Sequence, residues 1–212
     1  MSRTPRTGRT GPTRNRRPAS RAASRRRRRW AWIATIAVVV ALAATITVVR
    51  LANHSTPASA AAAPALGHPA PDGQFTTVAG TTMTVASLRG RPTLLWFVAT
   101  WCPSCQAGTP AVAEQFPHLR DHHVRVVEIE LYQNLGQSGP SIADFGKHLA
   151  GSWYGDADWI FGTSSADLSY AYNPKGYPDI FYLLDAAGHI THVDTAPAST
   201  MPALLTQVNA LT

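Results

Sequence analysis

The longest apolar stretch of the chain runs from Trp30 to Val49 and contains no charged side chain. At 1.5 Å per residue, a helix of this length spans about 30 Å, the thickness of the hydrocarbon core of a bilayer. Five consecutive arginines precede the stretch, and a single one, Arg50, follows it. Because the arginine-rich flank stays in the cytoplasm, the pattern predicts a single-pass anchor in the cell membrane with residues 51–212 exported.

A second interpretation of the same stretch is a cleaved secretion signal, since Ala58-Ser59-Ala60 fits the small-residue pattern of cleavage sites. The apolar run is longer than the usual signal, and a long tail precedes it, so we favour the uncleaved anchor. The secreted form remains the alternative, and in both cases the body leaves the cytoplasm. Residues 50–71 are rich in Ala, Pro and Ser, which predicts a linker ahead of one domain at 72–212.

Within residues 72–212 the apolar pattern alternates between strand and helix periods. Thr93 to Ala99 is continuously apolar, as in a strand covered on both faces, whereas Glu128 and Glu130 indicate partial exposure of a second strand. This order predicts an α/β sheet with at least one parallel crossover. The predicted strands are 76–78, 81–84, 93–99, 124–131, 179–185 and 189–193, and the helices are 85–88, 102–119, 141–150, 165–171 and 200–211.

The net charge of +7 is an average over two unlike parts. Twelve arginines and no acid lie in residues 1–29, a Thr/Pro/Gly-rich segment that we expect to form a disordered cytoplasmic tail. Residues 51–212 contain all the acidic residues and only six basic ones. The basic character therefore does not belong to the folded body, and nucleic acid is not a predicted partner.

Cys102 and Cys105 are the only cysteines of the chain. A lone C-x-x-C pair indicates redox exchange or half of a metal site. The pair follows the buried strand and opens a helix, whose unpaired N–H groups stabilise a thiolate. Pro103 suits the first helical position, and Ser104 completes this N-terminus. We expect Cys102 to be the exposed attacking thiol and Cys105 the shielded thiol that resolves a mixed disulfide.

The segment Trp101-Cys102-Pro103-Ser104-Cys105 at a strand-to-helix junction resembles the active site of the thioredoxin superfamily. Three further features are similar to that family: Pro110 in the active-site helix, Gly176-Tyr177-Pro178 before a strand, and the hairpin-like stretch 179–190. The resemblance implies a thioredoxin fold, with a mixed central sheet flanked by helices, an N-terminal β-hairpin and an inserted helical segment.

Two lead-in segments, Gly67 to Asp72 and Ser87 to Pro92, resemble the membrane-tethered branch of the family that serves cytochrome c maturation. The roughly 40 extra residues between Leu131 and Tyr172 do so as well. This resemblance implies a thiol–disulfide oxidoreductase that reduces exported proteins, apocytochrome c among them, and receives electrons from a membrane thiol reductant. It implies no metal and no cofactor besides the redox-active disulfide Cys102–Cys105.

By the same resemblance, Pro178 follows a cis peptide bond with Tyr177, and both residues contact the substrate together with Trp101. A cis bond there exposes backbone groups for pairing with an extended peptide. The chain departs from the family twice, because Trp96 and Gly108 occupy positions where relatives have a buried acid and a glutamate. No proton acceptor for Cys105 is therefore identified, and Glu114, the nearest acid along the helix, is expected at the solvated surface.

Other functions remain open. A disulfide-forming oxidase of the same fold needs the same cysteines, and Pro103-Ser104 does not identify the direction. A copper-binding carrier needs a late histidine such as His189 or His192, and a peroxidase usually has threonine where Ala99 stands. Two further groups of residues have expected structural roles, His122 and His123 in an exposed turn and Trp153, Tyr154 and Trp159 in packing the insert.

Overall fold

The structure is a computed structural model and describes residues 63–211. The predicted tail at 1–29, the membrane helix at 30–49 and most of the linker lie outside the described residues. Between residues 63 and 211, no helix is both long and apolar enough to cross a membrane. The end of the predicted linker lies against the sheet, since the Gly67 N–H donates to Ile190 O at 2.7 Å and the Ala70 N–H to Gly188 O at 2.9 Å.

Seven strands and four α-helices alternate along the described chain. The strands are β1 (Gln74–Thr77), β2 (Thr82–Thr84), β3 (Thr93–Val98), β4 (Arg125–Glu130), β5 (Trp159–Ser164), β6 (Asp179–Leu184) and β7 (Ile190–Asp194). The helices are α1 (Pro103–Asp121), α2 (Ile142–Leu149), α3 (Ala166–Tyr172) and α4 (Pro197–Asn209). Short 3-10 helices lie at Val85–Leu88, Tyr132–Gly136 and Gly151–Trp153.

All seven strands form one mixed sheet in the order β2-β1-β5-β4-β3-β6-β7. The central strands β3, β4 and β5 are parallel, and the outer pairs are antiparallel. This confirms the predicted mixed α/β sheet flanked by helices, with the hairpin β1–β2 at one edge. Because parallel strands end at the same edge, the segments after β3, β4 and β5 all lie at the carboxyl edge of the sheet.

Strand β5 is missing from the sequence prediction, which assigned only helices to the insert. Its sequence WIFGTS is apolar only in its first half. Gly162 lies so close to β1 that an added Cβ would be 2.6 Å from Thr76 O. Since glycine is a weak strand former, the close approach that requires it also hides the strand from a pattern search.

The apolar run of β3 is buried on both faces of the sheet, as predicted. Leu94, Trp96 and Val98 lie in one apolar cluster, which includes side chains of α1, α2 and α4. Leu95 and Phe97 lie in a second cluster on the opposite face with residues of α3. The alternation places successive side chains in different cores, so residues 94–98 of β3 are all apolar because each packs into one core or the other.

Candidate active site

Cys102 is the N-cap of α1, with an extended backbone at φ −78°, and Pro103 follows at the first helical position. The Cys102 N–H donates to Ala99 O at 2.9 Å, and its Sγ lies 3.0 Å from the Ser104 hydroxyl. The prediction of an exposed Cys102 is wrong, because only 4% of the residue is accessible. Both thiols belong to the apolar cluster against which Trp101 packs, and this packing covers them.

Cys105 lies one turn further along the helix and is fully buried, as predicted. Its Sγ–H donates to the carbonyl oxygen of Pro178 at 3.0 Å. The same oxygen accepts the Ala99 N–H at 2.8 Å, which ties the segment before the cysteines to the start of β6. Burial raises the pKa of Cys105 far above its ordinary value, and the negative charge of Asp179 and the second thiol raise it further.

The peptide bond between Tyr177 and Pro178 is trans, since no described residue has a cis peptide bond, so the expected cis bond is wrong. The side chain of Asn173 holds the loop that contains this trans bond. Its Nδ2 donates to Tyr177 O at 2.6 Å, and its Oδ1 accepts the Tyr177 N–H at 2.8 Å. These two hydrogen bonds engage the backbone groups of Tyr177 that the expected cis geometry would offer to a peptide.

Glu128, expected to be partly exposed, is fully buried because β4 is a central strand covered on both faces. Thr109 Oγ1 lies 2.8 Å from its Oε1 and 3.1 Å from Cys105 O, and the Trp159 Nε1–H donates to its Oε2 at 3.2 Å. Burial raises the pKa of Glu128 to about 8, although both hydrogen bonds lower it. A protonated Glu128 can donate to Thr109, which then donates to the Cys105 carbonyl, so the neutral form is fully paired.

Asp179, the first residue of β6, is the second buried acid beside the cysteines. Its Oδ1 accepts the Trp96 Nε1–H at 2.7 Å, whereas its Oδ2 is buried and has no hydrogen-bond partner within residues 63–211. A buried carboxylate oxygen without a partner is costly and suits a proton acceptor. The sequence analysis missed this residue, although an acid directly after Pro178 in an otherwise apolar strand was the available signal.

The two departures from the family pattern, Trp96 and Gly108, form a single packing arrangement. A Cβ at Gly108 would lie 2.8 Å from two atoms of the Trp96 indole ring, so the ring occupies the space of a side chain there. The indole N–H in turn binds Asp179. The large ring therefore excludes the glutamate of relatives and fixes the position of a different acid.

Trp101 is half-buried and is anchored by a left-handed turn after β4. Gln133, Asn134 and Leu135 have φ values of 49°, 53° and 56°, a conformation that is unfavourable for side chains other than glycine. Asn134 O accepts the Trp101 Nε1–H at 2.8 Å. Its side chain accepts the Thr100 N–H at 2.9 Å and donates to Thr100 Oγ1 at 2.8 Å. Asn134 thus connects the strained turn to the residues directly before Cys102.

The two late histidines considered as metal ligands contact acidic residues of a hairpin and not the cysteines. His189 and His192 are near Asp185 and Asp194 of the β6–β7 hairpin, at 3.4 and 3.9 Å. His123 is an exposed turn residue as predicted, whereas His122 is half-buried. No group of three or more His, Cys, Asp or Glu side chains in the described part of the chain could hold a metal ion.

The remaining predicted side chains have structural positions. Trp153 and Trp159 pack against Phe116 of α1, with ring centroids 5.2 and 5.0 Å apart, and Tyr154 lies 5.5 Å from Phe161. These contacts confirm that the aromatic residues pack the insert onto the core. Glu114 is exposed on α1, as expected.

Comparison with known proteins finds sequence similarity over part of the chain and a similar fold over most of it. The AhpC/TSA family matches residues 66–135. The soluble secreted antigen MPT53 of Mycobacterium tuberculosis is 44% identical over 39 residues, which are 18% of this chain and 22% of that protein. The match thus spans about a fifth of the curated relative.

Solved structures resemble the chain over a longer stretch. One, assigned as the thiol:disulfide interchange protein DsbE of Chlorobium tepidum, has 21% identity and a TM-score of 0.55, covering 70% of this chain and 99% of that one. A secreted disulfide oxidoreductase of Mycobacterium tuberculosis, described as homologous to E. coli DsbE, has 24% identity and a TM-score of 0.50, covering 65% and 95%. Likeness at these identities establishes the fold, which is the thioredoxin fold.

Proposed function

We propose that the chain is an extracytoplasmic thiol–disulfide oxidoreductase that reduces disulfides of exported proteins through Cys102 and Cys105. The observation that carries this proposal is the contrast between the two thiols. Cys102 caps a helix N-terminus and retains slight solvent access, whereas Cys105 is sealed beside a carbonyl oxygen and a buried acid. A nucleophile and a resolving thiol require this difference.

In the first step, the Cys102 thiolate attacks one sulfur of the substrate disulfide. A bond forms between Cys102 Sγ and that sulfur, the substrate S–S bond breaks, and the second substrate sulfur leaves as a thiolate that takes up a proton. In the second step, Cys105 attacks Cys102 Sγ, and the first substrate sulfur leaves as a thiolate. The substrate gains two electrons, and the chain is left with a Cys102–Cys105 disulfide.

The second step requires that Cys105 lose its proton although burial opposes its ionisation. We assign Asp179 as the acceptor, because its Oδ2 is buried, has no hydrogen-bond partner among residues 63–211, and its charge raises the pKa of the Cys105 thiol. Proton transfer to a positioned side chain typically contributes 10²–10⁴-fold to a rate. Glu128 contacts Thr109 rather than a thiol, so we assign it a positioning role.

Reduction, rather than oxidation, is the direction that we favour from the resemblance to the membrane-tethered branch. The direction depends on how strongly the attacking thiolate is stabilised in the reduced form. Burial and the charge of Asp179 raise the pKa of Cys105, so this thiol stays protonated at neutral pH and adds no charge to the reduced form. The redox potential therefore decides between a reductant and an oxidase.

The cellular setting of the proposal rests on the sequence. Residues 30–49 anchor the chain in the bilayer with the catalytic domain outside the cytoplasm, and secretion after signal cleavage is the alternative. A membrane thiol reductant supplies electrons, and the substrates are exported thiol or disulfide proteins, including apocytochrome c. The similarity in fold to a DsbE thiol:disulfide interchange protein and to a secreted disulfide oxidoreductase supports this class of substrate.

The decisive experiment equilibrates the full-length chain, in detergent, with graded thiol–disulfide buffers and measures the oxidised fraction by thiol alkylation. We expect a reversible Cys102–Cys105 disulfide with a potential near the thioredoxin value of about −270 mV. A potential near about −120 mV would make the chain a disulfide-forming oxidase. If no reversible disulfide forms, the redox function is wrong, and copper binding and peroxide consumption become the assays that distinguish the other classes.

A further inference from the structure

A surface cavity of about 330 Å³ opens between the segment that follows β4 and helix α3, and its lining is mostly apolar. One wall comes from the segment that follows β4, with Leu131, Tyr132 and Leu135, and the other from α3, with Ala166 and Tyr170. The volume suits one large side chain rather than an extended cofactor. The redox mechanism above does not use this cavity.

The cavity lies at the same edge of the sheet as the cysteines. Leu131 directly follows β4, α3 follows β5, and the segment containing Cys102 follows β3, and these three strands are parallel. Their carboxyl ends therefore meet at one edge, where open α/β sheets bind ligands.

Both walls are hydrogen-bonded to residues that flank the thiols. On one side, Leu135 belongs to the left-handed turn whose Asn134 carbonyl accepts the Trp101 indole N–H at 2.8 Å. On the other side, Asn173 lines the cavity and holds both backbone groups of Tyr177, next to Pro178. These hydrogen bonds connect both walls of the cavity to segments that contain or adjoin Trp101 and Pro178.

The exposed aromatic side chains of the described part of the chain concentrate here. Tyr132 and Tyr170 line the cavity and are 45% and 75% exposed, and Tyr177, held by Asn173, is 46% exposed. Tyrosine offers a large apolar face with few rotatable bonds and is enriched where proteins bind other proteins. Two such side chains at the cavity and a third held by Asn173 of its lining form a surface suited to a polypeptide.

We propose that this cavity binds a bulky apolar or aromatic side chain of the substrate polypeptide, near the cysteine that Cys102 attacks. The Tyr177 N–H donates to Asn173 and the Tyr177 carbonyl accepts from it, so neither group is available to pair with a peptide backbone. The exposed tyrosines and the apolar cavity instead offer side-chain contacts to the peptide. The proposal rests on the proposed function and specifies its substrate class as polypeptides with an apolar residue close to the disulfide.

The test uses the reduced full-length chain in detergent and three disulfide substrates. Two are short peptides with one cysteine joined to glutathione, identical except that one has phenylalanine and the other glycine near the cysteine, with the spacing varied from one to four residues. The third is glutathione disulfide, which has no apolar side chain. We expect kcat/KM for the best phenylalanine peptide to exceed that of its glycine partner by about tenfold, as one buried apolar side chain provides.

Two cavity variants and a control locate the effect. Ala166→Trp fills the cavity, and Tyr170→Ala removes part of its wall, and both positions are exposed. Val193→Ala changes another exposed apolar side chain, on β7, outside the cavity. The cavity variants should abolish the tenfold preference and leave glutathione disulfide reduction unchanged, whereas Val193→Ala should change neither.

Equal rates for the two peptides at every spacing, or a preference that survives in Ala166→Trp and Tyr170→Ala, would overturn the proposal. An equal loss on all three substrates would also overturn it, since it would show a general structural effect. Failure of the wild-type chain to reduce any substrate would refute the proposed function instead. In that case, binding of the peptides with serine in place of cysteine, followed by Trp fluorescence, still decides whether the cavity selects phenylalanine.

Discussion

Cys102 and Cys105 are separated by one helical turn, yet their surroundings have opposite chemical character. Cys102 lies at the positive end of a helix, near the Ser104 hydroxyl and beside Trp101, which a strained turn holds in place. Cys105 donates to the Pro178 carbonyl, and burial and then the charge of Asp179 disfavour its thiolate. The difference shows that a symmetrical motif becomes a directional pair through tertiary contacts. One thiol is prepared to attack, and the other ionises only when a base accepts its proton.

The contrast is tested most severely by replacing each cysteine in turn. We expect Cys102→Ser to abolish disulfide reduction, a loss of at least about 10³-fold, since the nucleophile itself is removed. Cys105→Ser should equally stop turnover but accumulate a mixed disulfide between Cys102 and a peptide substrate. Mass spectrometry after acid quenching measures this species. Accumulation in Cys102→Ser instead would reverse the assigned roles.

Removal of the charge beside Cys105 should weaken the contrast. Asp179→Asn keeps an acceptor for the Trp96 indole but removes the negative charge, so the pKa of Cys105 should fall. The loss of the proton acceptor should slow resolution of the mixed disulfide about 100-fold. Alkylation of Cys105 as a function of pH, in a Cys102→Ala background, measures the pKa, and stopped-flow kinetics measures the resolution step.

The matched control for this variant is Glu114→Gln, an exposed acid on the same helix as the cysteines. It should leave both the alkylation profile and the resolution rate unchanged. An Asp179→Asn variant that behaved like this control would exclude Asp179 as the base.

The buried Glu128 makes the free energy of unfolding of the chain depend on pH. Its folded-state pKa of about 8 exceeds the ordinary value of 4.5, so between these pH values the folded chain holds a proton that the unfolded chain releases. The free energy of unfolding should therefore fall as pH rises across this range, by at most about 1.4 kcal/mol per pH unit. Glu128→Gln mimics the neutral, fully paired carboxyl and should remove this contribution.

Urea unfolding of the full-length chain at pH 5, 6, 7 and 8 measures the slope. Wild type and Glu128→Gln should differ least at pH 5, where both side chains are neutral, and most at pH 8. A slope that remains in Glu128→Gln and disappears in another acid variant would assign the proton to a different group.

The smallest effect should come from the Cys102 side, at the turn that holds Trp101. Asn134→Ala leaves the buried Thr100 N–H without its acceptor and should lower the free energy of unfolding by about 1–3 kcal/mol. Gln133→Gly, at φ 49° in the same turn, has no hydrogen bond to Thr100 or Trp101 to lose and relieves strain, so stability should change by less than about 1 kcal/mol. Trp fluorescence should shift in Asn134→Ala only, since only that variant loosens the contact with Trp101.

Much of the fold could be predicted because its signals are local. The apolar run of β3, the C-x-x-C pair with Pro103 after it, and the short helix at 85–88 depend on neighbouring residues, and each prediction was close to the observed bounds. Strand β5 was missed because half of its sequence is polar and its glycine is required by a contact with β1. The trans bond before Pro178 was missed because Asn173, on another element, holds the loop.

The sequence alone determined that two thiols stand at a helix N-terminus after a strand buried on both faces, because strand period, proline position and cysteine spacing are properties of consecutive residues. Only the tertiary structure decided which groups surround those thiols. Asp179 and Glu128 look like ordinary acids of two strands, and they become buried beside Cys105 because the sheet order places β4 and β6 on either side of β3. Burial and electrostatic coupling depend on distance in space, which residue order along the chain does not specify.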